Sequence, residues 1–222
     1  MSNGPQVTIV DAGVGNLGNL ARAVRHLGWG PTVTDAPPAI AAARILLLPG
    51  VGAFRPPRER LRGAMEEALR QALDDGAYLL GICVGFQLLF ERSDEFGDTD
   101  GLGLLPGEVR RLPAGVSLPH IGWNGLHDLA EHPLLAGLPE GVAMYFVHSF
   151  AALDVPPEVV LARATHGAAF CAVAGSGRVL GTQFHPEKSG GAGLRLLRNF
   201  LHLAGGGAPL PATRRCGEAA CS

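Results

Sequence analysis

Apolar and polar positions follow two regimes along the chain. Up to about residue 92, short apolar runs alternate with stretches of helical periodicity. Residues 7–10 (VTIV) read as a buried strand that ends at Asp11 and a glycine-rich loop. Leu20, Ala23, Val24 and Leu27 recur at helical spacing over 19–27, and Gly28 stops the run. A short strand is expected over 31–35, a short helix over 37–43, and an apolar strand over 45–48 that runs into Pro49-Gly50-Val51-Gly52. Leu61, Met65, Ala68, Leu69 and Leu73 share one face, which predicts a single helix over 59–74. The run 77–82 has the length of a buried strand, and 86–92 is apolar and compatible with helix. Strand and helix in alternation predict a parallel sheet with right-handed crossovers.

Beyond residue 92 the pattern changes. Residues 93–103 are polar and glycine-bearing, so a loop is expected. Strands are expected over 108–112, 120–126, 143–150, 159–165, 169–174 and 178–183, the last three as antiparallel hairpins split by His166-Gly167 and Gly175-Ser176-Gly177. Residues 184–189 read as a loop and 194–203 as a terminal amphipathic helix. The domain is therefore expected to span 1–204. Residues 205–222, rich in Gly, Ala and Pro without periodicity, are expected to form a disordered tail.

Two stretches of this scaffold carry chemistry. Strand, Gly81-Ile82-Cys83-Val84-Gly85 and helix in sequence form the frame of a nucleophile elbow, with cysteine in place of serine. Gly81 and Gly85 supply the small bulk that such a turn needs. At a helix N-terminus, backbone N–H groups and the helix dipole favour thiolate over thiol. A lone cysteine is also a common small core residue, and the stretch alone leaves both readings open. The second stretch is His185-Pro186-Glu187. A residue before proline is held extended, and residues two apart in extended chain face the same way. Glu187 can then orient the His185 ring, whose other nitrogen takes a proton from a thiol. Taken alone, this stretch also suits a surface turn. Oxyanion donors are expected from the N–H of Val84 and from the 49–52 loop.

A rival signal lies near the start. Gly13-Val14-Gly15-Asn16-Leu17-Gly18 matches Gly-x-Gly-x-x-Gly, follows a strand, opens a helix and has Asp35 further on. Those features suit a dinucleotide-binding module. Such a module would leave the cysteine and histidine stretches without a role.

Composition narrows the classes. The formal charge of −2 argues against a nucleic-acid-binding protein, and no apolar run approaches a membrane span. The polar first six residues lack the layout of a signal peptide. Cys83, Cys171, Cys216 and Cys221 form no Cys-x-x-Cys pair, so neither a zinc site nor a dithiol motif is indicated, and a reduced cytoplasmic setting is the default. The histidines other than His185 show no metal-ligand spacing and are expected at the surface or in the core. No metal or cofactor is called for. Of the 18 basic residues only Lys188 is a lysine.

Together, PGVGAF at 49–54, GICVGFQLLFE at 81–91 and GTQFHPEKS at 181–189 resemble the class I, triad-type glutamine amidotransferases. VDAGVGNLGNL at the start, PHIGWN at 119–124, YFVHSF at 145–150 and GLRLLRNF near the end narrow the resemblance. They point to the glutaminase subunits of imidazole glycerol phosphate synthases. Within that family, glutaminases that feed ammonia to other synthases are the nearest alternative.

The resemblance implies an α/β, flavodoxin-like domain with a mixed, mostly parallel sheet. It implies a Cys83, His185 and Glu187 triad, with oxyanion donors at Val51 and Val84. L-glutamine would be recognised through Gly52, Gln87, Glu95, Ser149 and Phe150. Ammonia would pass to a (β/α)8-barrel cyclase subunit, met through Asn16, Trp123 and Lys188, and the glycine-rich loop would lie near that interface. Ala12, Val84, Phe86, Phe150 and Gly190 depart from the family's usual residues, and none is a triad position.

Overall fold

The structure is a computed structural model that describes residues 5–207. The run of β1 (Gln6–Val10), α1 (Leu17–His26), β2 (Gly30–Thr34), α2 (Pro37–Ala41) and β3 (Ile45–Gly50) follows the expected alternation. Then come α3 (Arg55–Leu61), α4 (Ala64–Asp74), β4 (Tyr78–Cys83) and α5 (Val84–Gln87). The expected single helix over 59–74 is two helices. Gly63 adopts φ +78°, a backbone state that stops α3 and restarts the chain in a new direction. Arg58, buried on α3, ties the two helices together through Glu66 at 2.7 Å and also donates to the Asp100 carbonyl.

The helix expected over 86–92 is also shorter. After α5 the chain turns, and the carbonyls of Leu88, Leu89 and Phe90 accept from Leu102, Leu104 and Gly103. The expected loop over 93–103 contains a small ladder of β5 (Arg92–Ser93) and β6 (Thr99–Asp100). With β7 (Glu108–Arg111) and β10 (Phe150–Ala152) these form a four-stranded sheet in the order β10-β7-β5-β6. A separate antiparallel ribbon pairs β8 (His120–Gly125) with β9 (Ala143–His148).

The remaining strands, β11 (Val160–His166), β12 (Ala168–Ser176) and β13 (Val179–Thr182), join the first four in a seven-stranded sheet. Its order is β11-β12-β13-β4-β3-β1-β2. The hairpins are antiparallel as expected, but β13 then lies parallel to β4. All six residues of β3 and the last five of β4 are buried, which explains their uninterrupted apolar runs. Helix α6 (Gly190–Ala204) begins four residues before the expected 194, its first turn hidden in sequence by glycines. The tail expected from 205 lies, from residue 208 onward, outside the described residues, and Cys216 and Cys221 with it.

Candidate active site

The parallel pair β4–β13 aligns Ile82 with Thr182, so the residues just beyond both strands emerge at the same sheet edge. Cys83 ends β4 at φ +56°, a left-handed conformation that is costly for a residue with a Cβ. The elbow packs tightly against β3. A Cβ on Gly85 would run into the Leu48 carbonyl, and one on Gly81 would lie 2.7 Å from Phe86 Cα. Both glycines are therefore dictated by close backbone approach.

His185 follows β13 in extended conformation and Glu187 lies in a 3-10 turn, Pro186–Lys188. His185 Nδ1 meets Glu187 Oε1 at 2.9 Å, with both side chains almost fully buried. Ser189 locks this loop to β9: its Oγ donates to the His185 carbonyl at 2.6 Å and accepts from the Tyr145 N–H at 3.0 Å. Burial alone would lower the proton affinity of His185, but the Cys83 and Glu187 side chains outweigh it and raise the pKa to about 10. His185 Nε2 is buried and makes no hydrogen bond of normal geometry among the described residues, so the ring nitrogen that faces the thiol is uncommitted.

Cys83 opens onto a cavity of about 30 Å³ lined by Gly52, Val84, Gln87, Glu95, Val147, His148, Ser149 and Phe150. All five residues expected to contact substrate are among them. Val84 lines the cavity as well; Val51 does not, although it directly precedes Gly52 at φ +82°. Gln87 Nε2 donates to the Phe150 carbonyl at 2.8 Å and to Gln183 Oε1 at 3.0 Å. Glu95 accepts from the Phe54 N–H at 2.7 Å, and burial outweighs that bond to raise its carboxyl pKa. Glu95, Ser149 and Phe150 also border an open cleft of about 460 Å³, with Asp94, Phe96, Gly97 and Arg111 completing its walls.

The residues expected at a partner surface are placed as follows. Trp123 is 59% exposed beside Ile121 at 61%. Its ring meets Tyr145 edge-on, and the Lys188 ammonium lies 6.0 Å from the centre of the same tyrosine ring. Asn16 caps α1 by accepting from the Asn19 N–H at 3.3 Å. Asp35, the acid that a dinucleotide would need for its ribose, is paired with Arg60 at 2.7 Å. Sequence reasoning missed Gln183, Ser189 and His148. Ser189 and Gln183 sit within the same motif as His185, which is the signal that could have found them.

A family model described as glutamine amidotransferase class-I matches residues 8–204. The chain belongs to that family. The imidazole glycerol phosphate synthase subunit HisH of Symbiobacterium thermophilum is 47% identical to this amidotransferase chain over 196 residues, covering 88% of it and 92% of the relative. The subunit of the same description from Moorella thermoacetica is 44% identical, with 89% and 94% covered. That from Dehalococcoides mccartyi is 43% identical, with 89% and 97% covered. Among solved structures, a glutamine amidotransferase crystal structure superposes with a TM-score of 0.71 at 24% identity, over 90% of this chain and 99% of the other. PurLQS from Thermotoga maritima gives 0.70 at 21% identity, over 90% and 99%. These two likenesses bear on the fold, which is that of a class I glutamine amidotransferase. Among the described residues, no helix is long and apolar enough to cross a membrane.

Proposed function

We propose that this amidotransferase is the glutaminase subunit of imidazole glycerol phosphate synthase, acting in histidine biosynthesis. The observation that carries this reading is the identity of 43–47% to HisH subunits over nearly the whole chain, joined to a buried Cys83, His185 and Glu187 at one sheet edge. In the proposed reaction the Cys83 sulfur, its proton passed to His185 Nε2, attacks the side-chain amide carbon of L-glutamine. The tetrahedral oxyanion is held by the Val84 N–H, with a second N–H from Val51. Collapse breaks the C–N bond as His185 returns the proton to the leaving nitrogen, so ammonia departs and a thioester remains. Water, deprotonated by His185, then attacks the thioester and frees glutamate and Cys83. Glu187 orients the imidazole and stabilises its charged form.

The site divides the work by position. Glutamine is an amino acid with an uncharged side-chain amide. Its amino-acid end suits the open cleft beside Glu95 and Arg111, and its amide reaches Cys83 through the adjoining narrow cavity, which has to widen to admit it. The released ammonia passes to a cyclase subunit with a (β/α)8-barrel, docked over Asn16, Trp123 and Lys188 in the cytoplasm. The cyclase joins it to a phosphoribulosyl-formimino-carboxamide ribonucleotide, giving imidazole glycerol phosphate and an aminoimidazole carboxamide ribonucleotide.

The deciding experiment combines this chain with such a cyclase. Cys83→Ala and Cys83→Ser should abolish synthesis from glutamine and leave synthesis from added ammonium salt intact. Full use of glutamine by Cys83→Ala would overturn the mechanism.

A further inference from the structure

The reaction leaves a group of buried histidines idle. His148 ends β9 and lines the cavity at Cys83. His120 lies directly opposite on β8, and its Nδ1 is 3.1 Å from His148 Nε2. His148 Nδ1 is 2.9 Å from the Phe150 carbonyl. His120 Nε2 is 3.3 Å from Asn124 Nδ2, which also donates to the Thr165 carbonyl at 2.9 Å. His166 stacks on His120 with ring centres 4.2 Å apart, and its own Nε2 bonds the Ser117 carbonyl at 2.8 Å. Phe146 and Phe170 pack against both His120 and His148.

Elementary donor rules assign every proton in this group. A carbonyl only accepts, so His148 must carry its proton on Nδ1. A neutral His148 then accepts at Nε2, and His120 must donate from its own Nδ1. His120 Nε2 in turn accepts from the Asn124 amide. The bonds run one way, from Asn124 through His120 and His148 to the Phe150 carbonyl. Burial holds His148 and His120 well below the usual imidazole range, at about 3 and about 4, with neighbouring His166 acting on both and His185 on His148 in the same direction. Both rings are thus neutral near pH 7, and the direction of the chain does not reverse.

The chain ends on a wall that matters. The Phe150 carbonyl accepts from His148 and from Gln87 together, while the Ser149 carbonyl accepts from the Leu112 N–H at 3.0 Å. The peptide groups that border both cavity and cleft are therefore fixed from three directions. We propose that His120 and His148 are positioning residues for glutamine, holding the Ser149–Phe150 wall through this one-way chain of hydrogen bonds. The inference rests on the glutaminase reading of the site.

Two measurements test it. Nitrogen-15 NMR of histidine-labelled protein reads each ring's tautomer without substrate. Both His120 and His148 should be neutral and protonated on Nδ1, the minor tautomer of free histidine, across about pH 6–8. A proton on Nε2 of His148 would overturn the chain. Steady-state kinetics with the cyclase present should show His148→Leu raising KM for glutamine about tenfold, the loss of one well-made hydrogen bond, with kcat changed less. His148→Asn, whose amide nitrogen can stand where Nδ1 does, should restore most of the KM. An unchanged KM in His148→Leu, or no rescue by asparagine, would overturn the role. Should His148→Leu fail to fold, His120→Leu and His120→Asn give the same comparison one step back along the chain. Absence of glutamine hydrolysis by the parent chain with cyclase present would remove the glutaminase reading, and the tautomers would still decide the chain.

Discussion

Ile82 and Thr182 face each other across the parallel strands β4 and β13, in a register that brings Cys83 and His185 off the same edge of the sheet. Cys83 is thereby placed by the strand ladder itself, and His185 and Glu187 by the loop that leaves β13 beside it. His185 is further fixed by its N–H bond to the Tyr145 carbonyl at 3.0 Å. The cavity onto which Cys83 opens, at about 30 Å³, has room for about one or two waters and not for a glutamine amide.

That closure predicts low activity for the subunit alone. On the proposed reading the Gly52 side of the cavity opens and the Val51 N–H turns in before an oxyanion is held, while the Ser149–Phe150 wall stays in place. A missing oxyanion donor costs roughly a hundredfold to a thousandfold in kcat. Glutamine turnover should rise by about that factor when the cyclase is added. Full turnover by the lone chain would show that the 49–52 loop needs no rearrangement.

His185 binds its proton more tightly in the folded chain than in the unfolded one, where about 6.5 is usual. Its contribution to stability is therefore complete below about pH 6.5 and is lost as pH rises toward about 10. Glu187→Gln removes one of the groups that raise the proton affinity. The melting temperature of this variant should fall less steeply with pH across that window than the parent's. Parallel curves would mean that the ion pair contributes no linkage.

Glycines of the elbow and of the first helix should respond oppositely to a methyl group. Gly85→Ala drives a Cβ into the Leu48 carbonyl, and backbone cannot move aside as a side chain can. A cost of about 1–3 kcal/mol or more, with loss of glutaminase activity, is expected. Gly18 in α1 has open space around its Cβ position, so Gly18→Ala should be neutral or stabilise by about 0.5–1 kcal/mol. Urea titrations of the two variants make the comparison.

These glycines also show how much was legible beforehand. Gly81, Cys83 and Gly85 revealed the elbow because a tight strand-to-helix turn admits few residues. The pairing of His185 with Glu187 was legible from the His-Pro-Glu spacing, but the expected extended chain is a 3-10 turn after His185, and it is this turn that brings Glu187 back to the ring. The break at Gly63 was not, since apolar spacing continues on both sides of it. Residues 88–90 look helical, but their carbonyls are claimed by a returning loop that no local pattern announces. His120 and His148 are far apart in sequence, and only the β8–β9 register makes them neighbours.

Lys188 is the one lysine among 18 basic residues, and its position next to Glu187 gives the exception a physical setting. Its ammonium lies over the Tyr145 ring, which touches the exposed Trp123. A compact ammonium on a slim stem fits such a seam where a planar guanidinium is too wide. In the proposed complex it pairs with a cyclase carboxylate on the side where ammonia leaves. Truncating one partner of a desolvated interfacial pair costs about 2–5 kcal/mol. Lys188→Ala should therefore keep its fold and the alkylation of Cys83, yet bind cyclase more weakly or release ammonia to solvent. Lys188→Arg should be impaired too, which charge alone would not require. The readout is the ratio of glutamate to imidazole glycerol phosphate formed, measured alongside complex affinity. A ratio near one with normal binding in Lys188→Ala would make this residue an ordinary solvated lysine.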